Sequence, residues 1–159
     1  MTQEHFISLM LAACDQALSR GAQFNAAVAI AQAALETGWG NNELATQANN
    51  LFGIKANPSW PGGIYTTPTQ EYIPDAGWVR TSADWRKYPS WHACVADYAG
   101  LISSLTWYQE ALKHLDDADA FLLALLPAPG KPGWATDPDY YTKVKACGLL
   151  VAQLGGPKW

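Results

Sequence analysis

The chain of 159 residues has the length of one domain and can bury a substantial hydrophobic core. Hydrophobic residues make up 49% of it, which excludes a disordered chain. A formal net charge of −4, without any Lys/Arg run, argues against nucleic acid as a partner. Eight Trp and seven Tyr exceed what such a core needs, so we expect an aromatic-lined groove for sugar faces, aromatic bases or apolar ligands.

The cysteines and the N-terminal segment bear on where the chain folds. Cys14, Cys94 and Cys147 are far apart and match no metal-ligand spacing, so we interpret them as buried, reduced thiols of a protein that folds in a reducing cytoplasm. Residues 1–20 lack the basic segment of a signal peptide, and no apolar run reaches transmembrane length. We therefore expect no signal peptide, no membrane insertion, and delivery by another route to any site of action outside the cytoplasm.

The first part of the chain has helical patterns. Apolar residues at helical spacing predict an amphipathic helix over residues 2–20. A second, Ala-rich helix begins after the N-cap residue Asn25 and ends at Gly38, and a short polar helix follows over residues 42–47. Paired asparagines, apolar residues and a glycine then predict a tight turn over residues 49–55.

The pattern changes after residue 63. Strand-forming residues over 64–88, interrupted by Pro74-Asp75-Ala76-Gly77, predict a β-hairpin. Three further helices are predicted over residues 91–107, 118–126 and 137–154, the last capped by Asp137 with Pro138 at its first position. These elements predict one α+β domain over residues 1–159, mainly helical, with a small β-lobe at about 64–88.

Glu36 is the candidate for catalysis, because it lies at the end of the Ala-rich helix and is followed by Gly38 and Trp39. The C-terminal end of the helix dipole disfavours negative charge there, and cover by the apolar Trp39 would add to this, so both effects would raise the pKa of Glu36. A carboxyl that stays protonated near neutral pH suits a general acid. The alternative, from this segment alone, is a solvated surface glutamate.

A second carboxylate would complete a site for breaking a glycosidic bond. That reaction needs an acid for the leaving oxygen, and a carboxylate or substrate group to handle the positive charge or the water. The helix and the hairpin would form two walls of a cleft, and Glu71 lies on the first hairpin strand. We select Glu36 and Glu71 as the pair, with Asp75 and Asp84 in reserve, and expect neither a metal nor another cofactor.

Five short motifs follow one another between about residues 28 and 145. They are residues 31–40 (AQAALETGWG), 49–55 (NNLFGIK), 69–71 (TQE), 86–98 (RKY, then Ser90 and Asp97-Tyr98) and 135–140 (ATDPDY). In this order they resemble glycoside hydrolase family 73, the endo-β-N-acetylglucosaminidases of bacterial cell walls. The resemblance implies a lysozyme-like fold and cleavage of the β-1,4 bond after N-acetylglucosamine in peptidoglycan.

The resemblance also implies roles for individual residues. Glu36 falls on the general acid, Glu71 on the second carboxylate, and Tyr140 on a tyrosine beside the catalytic glutamate. Glu71 would either activate water or assist a nucleophilic acetamido group of the substrate. The residues assigned to substrate binding are Trp39, Asn50, Phe52 and Tyr88.

These assignments have structural alternatives. Phe52 could belong to the core, Asn50 could hold the turn through its amide, and Tyr140 could merely pack. Trp60 and Trp78, like Trp85, could serve as sugar platforms or could stabilise the small lobe.

A wall hydrolase without a signal peptide fits two biological settings. It could be a phage endolysin released through a holin, or an antibacterial effector that a secretion system injects into a rival's periplasm. The second setting implies an immunity protein that blocks the cleft. We expect a monomer that acts on peptidoglycan glycan strands. The alternatives are a muramidase or lytic transglycosylase of lysozyme-like fold, and a non-catalytic wall-binding module.

Overall fold

The computed structural model describes the backbone of residues 1–159 and every side chain except those of Thr69, Glu71 and Tyr72. The elements in chain order are α1 (Gln3–Ser19), α2 (Ala26–Thr37), α3 (Glu43–Ala48), β1 (Gly63–Ile73), β2 (Gly77–Lys87), α4 (Trp91–Ser104), a 3-10 helix (Thr106–His114), α5 (Ala118–Leu125) and α6 (Tyr140–Gln153). The prediction of a mainly helical α+β fold is confirmed.

Local sequence sets the ends of the first helices. The side chain of Thr2 accepts the His5 N–H at the start of α1, and Asn25 accepts the Val28 N–H at the start of α2. Gly38 ends α2 in the left-handed conformation, with a φ of 55°. These caps satisfy backbone groups that a helix end leaves without an intrahelical partner.

Helix α4 is shorter than predicted. It ends at Ser104 because Leu105 is extended, with φ −85° and ψ 121°. The chain then winds as a 3-10 helix through Trp107, which the sequence placed at the end of α4. The tighter winding changes which side chains face the core, and it buries Tyr108 and Ala111.

Helix α6 begins later than predicted. The Asp137 carboxylate accepts the Asp139 N–H at 2.9 Å, and the Asp137 carbonyl accepts the Tyr140 N–H at 3.1 Å. These two bonds close a turn, so the helix starts at Tyr140 rather than at Pro138. Tyr140 is therefore the first residue of α6, where its side chain is buried.

Strands β1 and β2 form an antiparallel hairpin with a register from Gly63 opposite Lys87 to Ile73 opposite Gly77. Residues 74–76 make the turn, as predicted. Along β2, the buried residues are Trp85 and Arg86 close to its end. Strand β2 is thus packed at the base of the hairpin and exposed along most of its length.

Polar side chains fix the base of the hairpin to the helical body. The fully buried Asn50 amide donates to the carbonyls of Ile54 and Arg86, at 2.9 and 2.8 Å, and accepts the Ile54 N–H. The Arg86 guanidinium donates to Asp97 on α4 at 2.7 Å, and the Tyr88 hydroxyl donates to the same carboxylate at 2.6 Å. Residues 49–55, β2 and α4 are therefore joined by hydrogen bonds around one carboxylate and one amide.

Helix α2 runs through the centre of the core. Nine of its residues are buried, most of them alanines, whose small side chains let neighbouring helices approach closely. Helices α1, α5 and α6 pack against it. None of the helices described combines the length and the apolarity that crossing a membrane requires.

The three cysteines are free thiols, as expected from the sequence. Cys14 and Cys94 are buried in the core and Cys147 is half-buried. Burial, with a smaller contribution from the Asp15 charge, raises the pKa of the Cys14 thiol to about 12. Cys14 is therefore unreactive and serves as a packing residue.

The C-terminal residue folds back onto α6. The indole N–H of Trp159 donates to Asp119 at 2.7 Å, and Asp119 also accepts from Tyr141 at 2.9 Å and Lys145 at 2.8 Å. A Cβ at Gly148 would lie 1.9 Å from the Trp159 ring, so only glycine fits beneath the indole. Asp119 thus holds α5, α6 and the C-terminus together.

Candidate active site

A cleft of about 690 Å³ lies between the helical body and the hairpin. Its aromatic lining residues are Phe52, Trp78, Trp85, Tyr108, Trp134 and Tyr140, and its charged ones are Glu36, Lys55, Asp137 and Lys143. Flat apolar rings beside a few charged groups suit the binding of a sugar chain, whose rings have apolar faces and polar edges.

Glu36 lies in the last turn of α2, as predicted, and its half-buried side chain reaches the cleft. Its Oε1 accepts the Tyr140 hydroxyl at 2.9 Å. A Cβ at Gly53 would lie 3.3 Å from Oε2, and Gly53 has a φ of 60°. Glycine at this position therefore leaves room for the carboxyl and also permits the left-handed turn.

The described neighbours of Trp39 and of the Glu36 carboxyl lie on different elements. Trp39 has a positive φ of 61°, and its ring packs on Phe6 of α1 with centroids 5.7 Å apart. The Glu36 carboxyl instead faces Gly53, and the Trp85 ring borders the same space. Three successive left-handed residues, from Gly38 to Gly40, lead the chain to this contact with α1. Cover of Glu36 by Trp39 stays a prediction.

Tyr140 joins Glu36 from the start of α6. Its pKa is raised well above the ordinary tyrosine value, first by burial and then by the Glu36 charge. The hydroxyl therefore stays protonated and donates a hydrogen bond to Glu36. The same oxygen accepts an N–H of the buried Gln32 at 3.1 Å, and Gln32 accepts the Tyr98 hydroxyl at 2.7 Å.

The second acid of the predicted pair, Glu71, lies on strand β1 of the hairpin. Glu71 is opposite Val79 in the hairpin register. Its side chain lies outside the described part of the structure, so its role stays a prediction. The preceding residue on β1, Gln70, lines the cleft.

The reserve acids Asp75 and Asp84 do not line the cleft. Asp75 is exposed in the hairpin turn with a φ of 69°. Asp84 accepts the Thr66 hydroxyl across the hairpin, at 2.5 Å. Among the described side chains, no three His, Cys, Asp or Glu residues come together in a way that could hold a metal ion.

The four residues assigned to substrate binding fall into two groups. Phe52 lines the cleft, but it is 1% exposed and stacks on Tyr98, with centroids 4.1 Å apart, so it forms the floor. Trp39 packs on α1, and Asn50 and Tyr88 are buried in the hydrogen bonds at the hairpin base. The structure brings none of these three into the cleft, so a sugar contact by them stays a prediction without geometric support.

Of the three candidate sugar platforms, Trp78 is the most accessible. Trp60 packs on Tyr88, at 5.4 Å between centroids, and lies under the Arg86 guanidinium at 4.6 Å. Trp85 is 7% exposed. Trp78 lines the cleft with 53% of its surface exposed.

The cleft contains residues to which the sequence had assigned no site role. Trp134 lines it and donates its indole N–H to the Phe52 carbonyl at 3.3 Å. Asp137 forms an ion pair with Lys143 at 2.5 Å. Burial acts to raise the pKa of Asp137, but the hydrogen bonds from Lys143 and the Asp139 N–H outweigh it, and the net shift is downward. The ATDPDY motif, which contains Asp137, was the signal for this wall.

A helical body, a projecting hairpin and a carboxyl in an aromatic cleft together define the architecture of a glycan-cleaving enzyme. The model of the glucosaminidase family, described as mannosyl-glycoprotein endo-beta-N-acetylglucosaminidase, matches residues 14–148. The chain therefore belongs to the glucosaminidases of glycoside hydrolase family 73, which confirms the resemblance seen in the sequence.

Relatives in sequence and in structure agree with this membership. The peptidoglycan hydrolase FlgJ of Vibrio cholerae is 34% identical over 156 residues, which are 96% of this chain and 45% of that protein. The exo-glucosaminidase LytG of Bacillus subtilis is 39% identical over 121 residues, 75% of this chain and 41% of LytG. The crystal structure of a peptidoglycan hydrolase mutant from Sphingomonas sp. A1 matches with a TM-score of 0.79 and 30% identity, over 95% of this chain and 97% of that one.

The relatives differ from this chain in length. The chain spans less than half the length of the curated FlgJ and LytG proteins that it matches. The similarity therefore concerns the hydrolase domain.

Proposed function

We propose that this protein hydrolyses the β-1,4 bond after N-acetylglucosamine in the glycan strands of peptidoglycan. The observation that carries the proposal is the position of the Glu36 carboxyl, which lies in an aromatic cleft and accepts a hydrogen bond from the buried Tyr140. The family of the chain and the names of its relatives support the same substrate.

Glu36 is the general acid in this mechanism. Its proton passes to the glycosidic oxygen as the bond to the anomeric carbon breaks, and positive charge develops on the sugar ring. The Tyr140 hydroxyl then stabilises the Glu36 carboxylate. Glu71, on the hairpin wall, either removes a proton from the attacking water or assists the acetamido group of the substrate.

The cleft offers contacts for both the sugars and the charged groups of a wall glycan. Trp78 and Trp134 present rings on which sugar faces stack. Two cations also line the cleft, Lys55 and the Lys143 that pairs with Asp137, and they would attract the carboxylates of muramic acid and its peptide. These contacts are part of the proposal.

Replacement of Glu36 tests the assignment of the acid. We expect Glu36→Gln to lower the digestion rate of purified peptidoglycan by about 100- to 10,000-fold, the contribution typical of a general acid. The control is Glu43→Gln, on α3, which removes an equal charge from a residue that binds Tyr65 outside the cleft. Equal rates for wild type and Glu36→Gln, measured by turbidity loss, would show that Glu36 is not the acid.

Product analysis separates the proposed activity from its alternatives. Mass spectrometry of digested peptidoglycan should show N-acetylglucosamine at the new reducing ends. N-acetylmuramic acid at those ends would indicate a muramidase, and anhydromuramic products a lytic transglycosylase. Release of single terminal sugars, rather than internal fragments, would indicate exo-cleavage, and the absence of any product would indicate a wall-binding module.

The biological setting belongs to the same proposal. A wall hydrolase of this kind would serve phage lysis after release through a holin, or attack a rival's wall after injection, in which case an immunity protein would block the cleft. The expected enzyme is a monomer. Expression with a periplasmic leader should lyse Escherichia coli, whereas the Glu36→Gln variant with the same leader should not. Survival of both cultures would argue against a bacteriolytic role.

A further inference from the structure

A chain of three hydrogen bonds runs from the core to the Glu36 carboxyl. The Tyr98 hydroxyl, on α4, donates to the side-chain carbonyl Oε1 of Gln32 at 2.7 Å. The side-chain amino group Nε2 of Gln32 donates to the Tyr140 hydroxyl oxygen at 3.1 Å. Tyr140 then donates to Glu36 at 2.9 Å. Gln32 and Tyr98 are fully buried, and neither lines the cleft.

The position of Gln32 on α2 explains how it reaches the site from behind. Gln32 and Glu36 are four residues apart, so they project from the same face of the helix. Gln32 is a fully buried amide in a helix made largely of alanines. Burial of an amide is costly unless both its carbonyl and its amino group are paired, and Tyr98 and Tyr140 supply those partners.

The two tyrosines that pair with Gln32 determine which group donates and which accepts in each of the three hydrogen bonds. A tyrosine hydroxyl has one proton, and the Tyr98 proton is used on the Gln32 carbonyl. The amino group of Gln32 therefore faces the Tyr140 oxygen. Because that oxygen already accepts a bond from Gln32, the proton of Tyr140 is left to point at Glu36.

We propose that Gln32 and Tyr98 are positioning residues, which act through Tyr140 to hold a hydrogen-bond donor against the Glu36 carboxyl. The inference deepens the proposed function and rests on it for its role in catalysis. Its physical content is a change in the proton affinity of Glu36. A donor aimed at a carboxylate stabilises the ionised form, and a donor that is itself hydrogen-bonded at its oxygen is stronger.

Two substitutions each remove one hydrogen-bond donor from this series of hydrogen bonds and keep the side-chain volume similar. Gln32→Met keeps an unbranched side chain but removes the donor to Tyr140. Tyr98→Phe keeps the ring that stacks on Phe52 and removes the donor to Gln32. Without the Tyr98 proton, the Gln32 amide can turn its carbonyl towards Tyr140 and draw the Tyr140 proton away from Glu36. Both variants should therefore raise the pKa of Glu36.

NMR titration of protein labelled with 13C at the glutamate carboxyls measures this change without relying on activity. The chain has five glutamates, and Glu36→Gln assigns the signal of Glu36. The other titratable groups of the cleft wall, which the variants leave unchanged, are Lys55, Tyr108, Asp137 and Lys143, with Glu71 on β1. Circular dichroism confirms that each variant is folded at the pH values used.

The matched control is Tyr141→Phe. Tyr141 also donates its hydroxyl to a carboxylate, that of Asp119, and it is the next residue of α6, outside the cleft. Its loss should lower stability and leave the Glu36 titration unchanged. In the pH profile of kcat, the alkaline limb should move to higher pH for Gln32→Met and Tyr98→Phe, and should not move for Tyr141→Phe.

The outcomes separate this inference from the proposed function. An unchanged Glu36 titration in folded Gln32→Met and Tyr98→Phe, with an active wild type, would overturn the positioning role. A raised Glu36 pKa in both variants supports it. If the wild type failed to digest peptidoglycan while the titration shifted as expected, the hydrogen-bond chain would stand and the proposed function would fall.

Discussion

At the scale of single residues, the site depends on a glycine, Gly53, because that position has no Cβ. Gly53 lies against the Glu36 carboxyl in a left-handed turn, with room for no more than a hydrogen atom without a shift of Oε2. The sequence showed Gly53 as a turn residue in NNLFGIK. Its second role, as a neighbour of the catalytic candidate, follows from the tertiary contact between this turn and the end of α2.

Gly53→Ala should therefore impair both stability and activity. The positive φ costs roughly 1–2 kcal/mol for a residue with a Cβ, and displacement of Glu36 should lower the digestion rate on the order of 10- to 100-fold. Gly21→Ala is the control, because Gly21 has a φ of 89° and nothing within 4 Å of an added Cβ. That variant should lose stability alone, as measured by urea unfolding and turbidity loss. Wild-type activity in Gly53→Ala would mean that the contact with Glu36 is unimportant.

At the scale of elements, the base of the hairpin is the critical junction. Asp97 pairs with Arg86 and accepts the Tyr88 hydroxyl, and the side chains of Arg86 and Asp97 are 10% and 25% exposed. An ion pair so little exposed makes its partners interdependent, because removal of one leaves the other charge in an apolar site. The hairpin carries Gln70 and Trp78 of the cleft wall, so its attachment also affects the site.

Asp97→Asn tests this junction. We expect a loss on the order of 3 kcal/mol in the free energy of unfolding, because Arg86 keeps its charge without a counterion. Asp15→Asn on α1 removes the same charge from an exposed residue and should change stability by less than about 0.5 kcal/mol. Similar losses in the two variants, measured by urea unfolding, would show that the ion pair does not anchor the hairpin.

The second junction joins α5, α6 and the C-terminus, and it is sensitive to pH. Hydrogen bonds from Lys145, then Trp159 and Tyr141, lower the pKa of Asp119. A lowered carboxyl pKa contributes stability above the unfolded value of about 3.9, and that contribution is lost as the pH falls through the folded value. Asp119→Asn should therefore lower Tm at pH 7, and the difference from wild type should shrink towards about pH 3. A difference independent of pH would exclude an electrostatic origin.

At the scale of the whole molecule, the charge opposes the proposed substrate. The net charge is −4, and the bacterial wall is also anionic. Repulsion slows their association, and salt screens it, because the Debye length falls from about 30 Å at 0.01 M to about 8 Å at 0.15 M. Digestion of peptidoglycan should therefore accelerate over this range of NaCl, and hydrolysis of a neutral N-acetylglucosamine oligomer should not. A rate that falls with salt would show that Lys55 and Lys143 dominate the encounter.

Much of the architecture could be predicted because it depends on local chemistry. Asn25 and Gly38 define the start and the end of α2 through their own conformational preferences, and the Pro74–Gly77 stretch predicted the hairpin turn. The position of Glu36 could be predicted for the same reason, because its place in the last helical turn follows from the residues on either side. The motifs also predicted that Tyr140, more than 100 residues further along the chain, lies beside Glu36.

The remainder depends on contacts that local patterns do not encode. Nothing near Trp39 shows that its ring packs on Phe6, and nothing near Gln32 shows that two distant tyrosines satisfy its amide. Asn50 was expected to hold the turn and also to be able to contact a sugar, and the described bonds of its amide all lie at the hairpin base. In each case the partner lies far along the chain, so the role became visible only in three dimensions.

The length of the hairpin would amplify any bend at its base. Gln70 lies seven residues beyond Gly63 on β1, or about 23 Å along the strand at about 3.3 Å per residue. A bend of about 5° at the base would move it by about 2 Å. Carboxyl separations of roughly 5–5.5 Å and 6.5–9.5 Å distinguish retaining from inverting glycosidases, a gap of about 1 Å. Because β1 also carries Glu71, which we propose as the second acid, the stiffness of the Asn50 and Asp97 anchors would help to set its distance from Glu36.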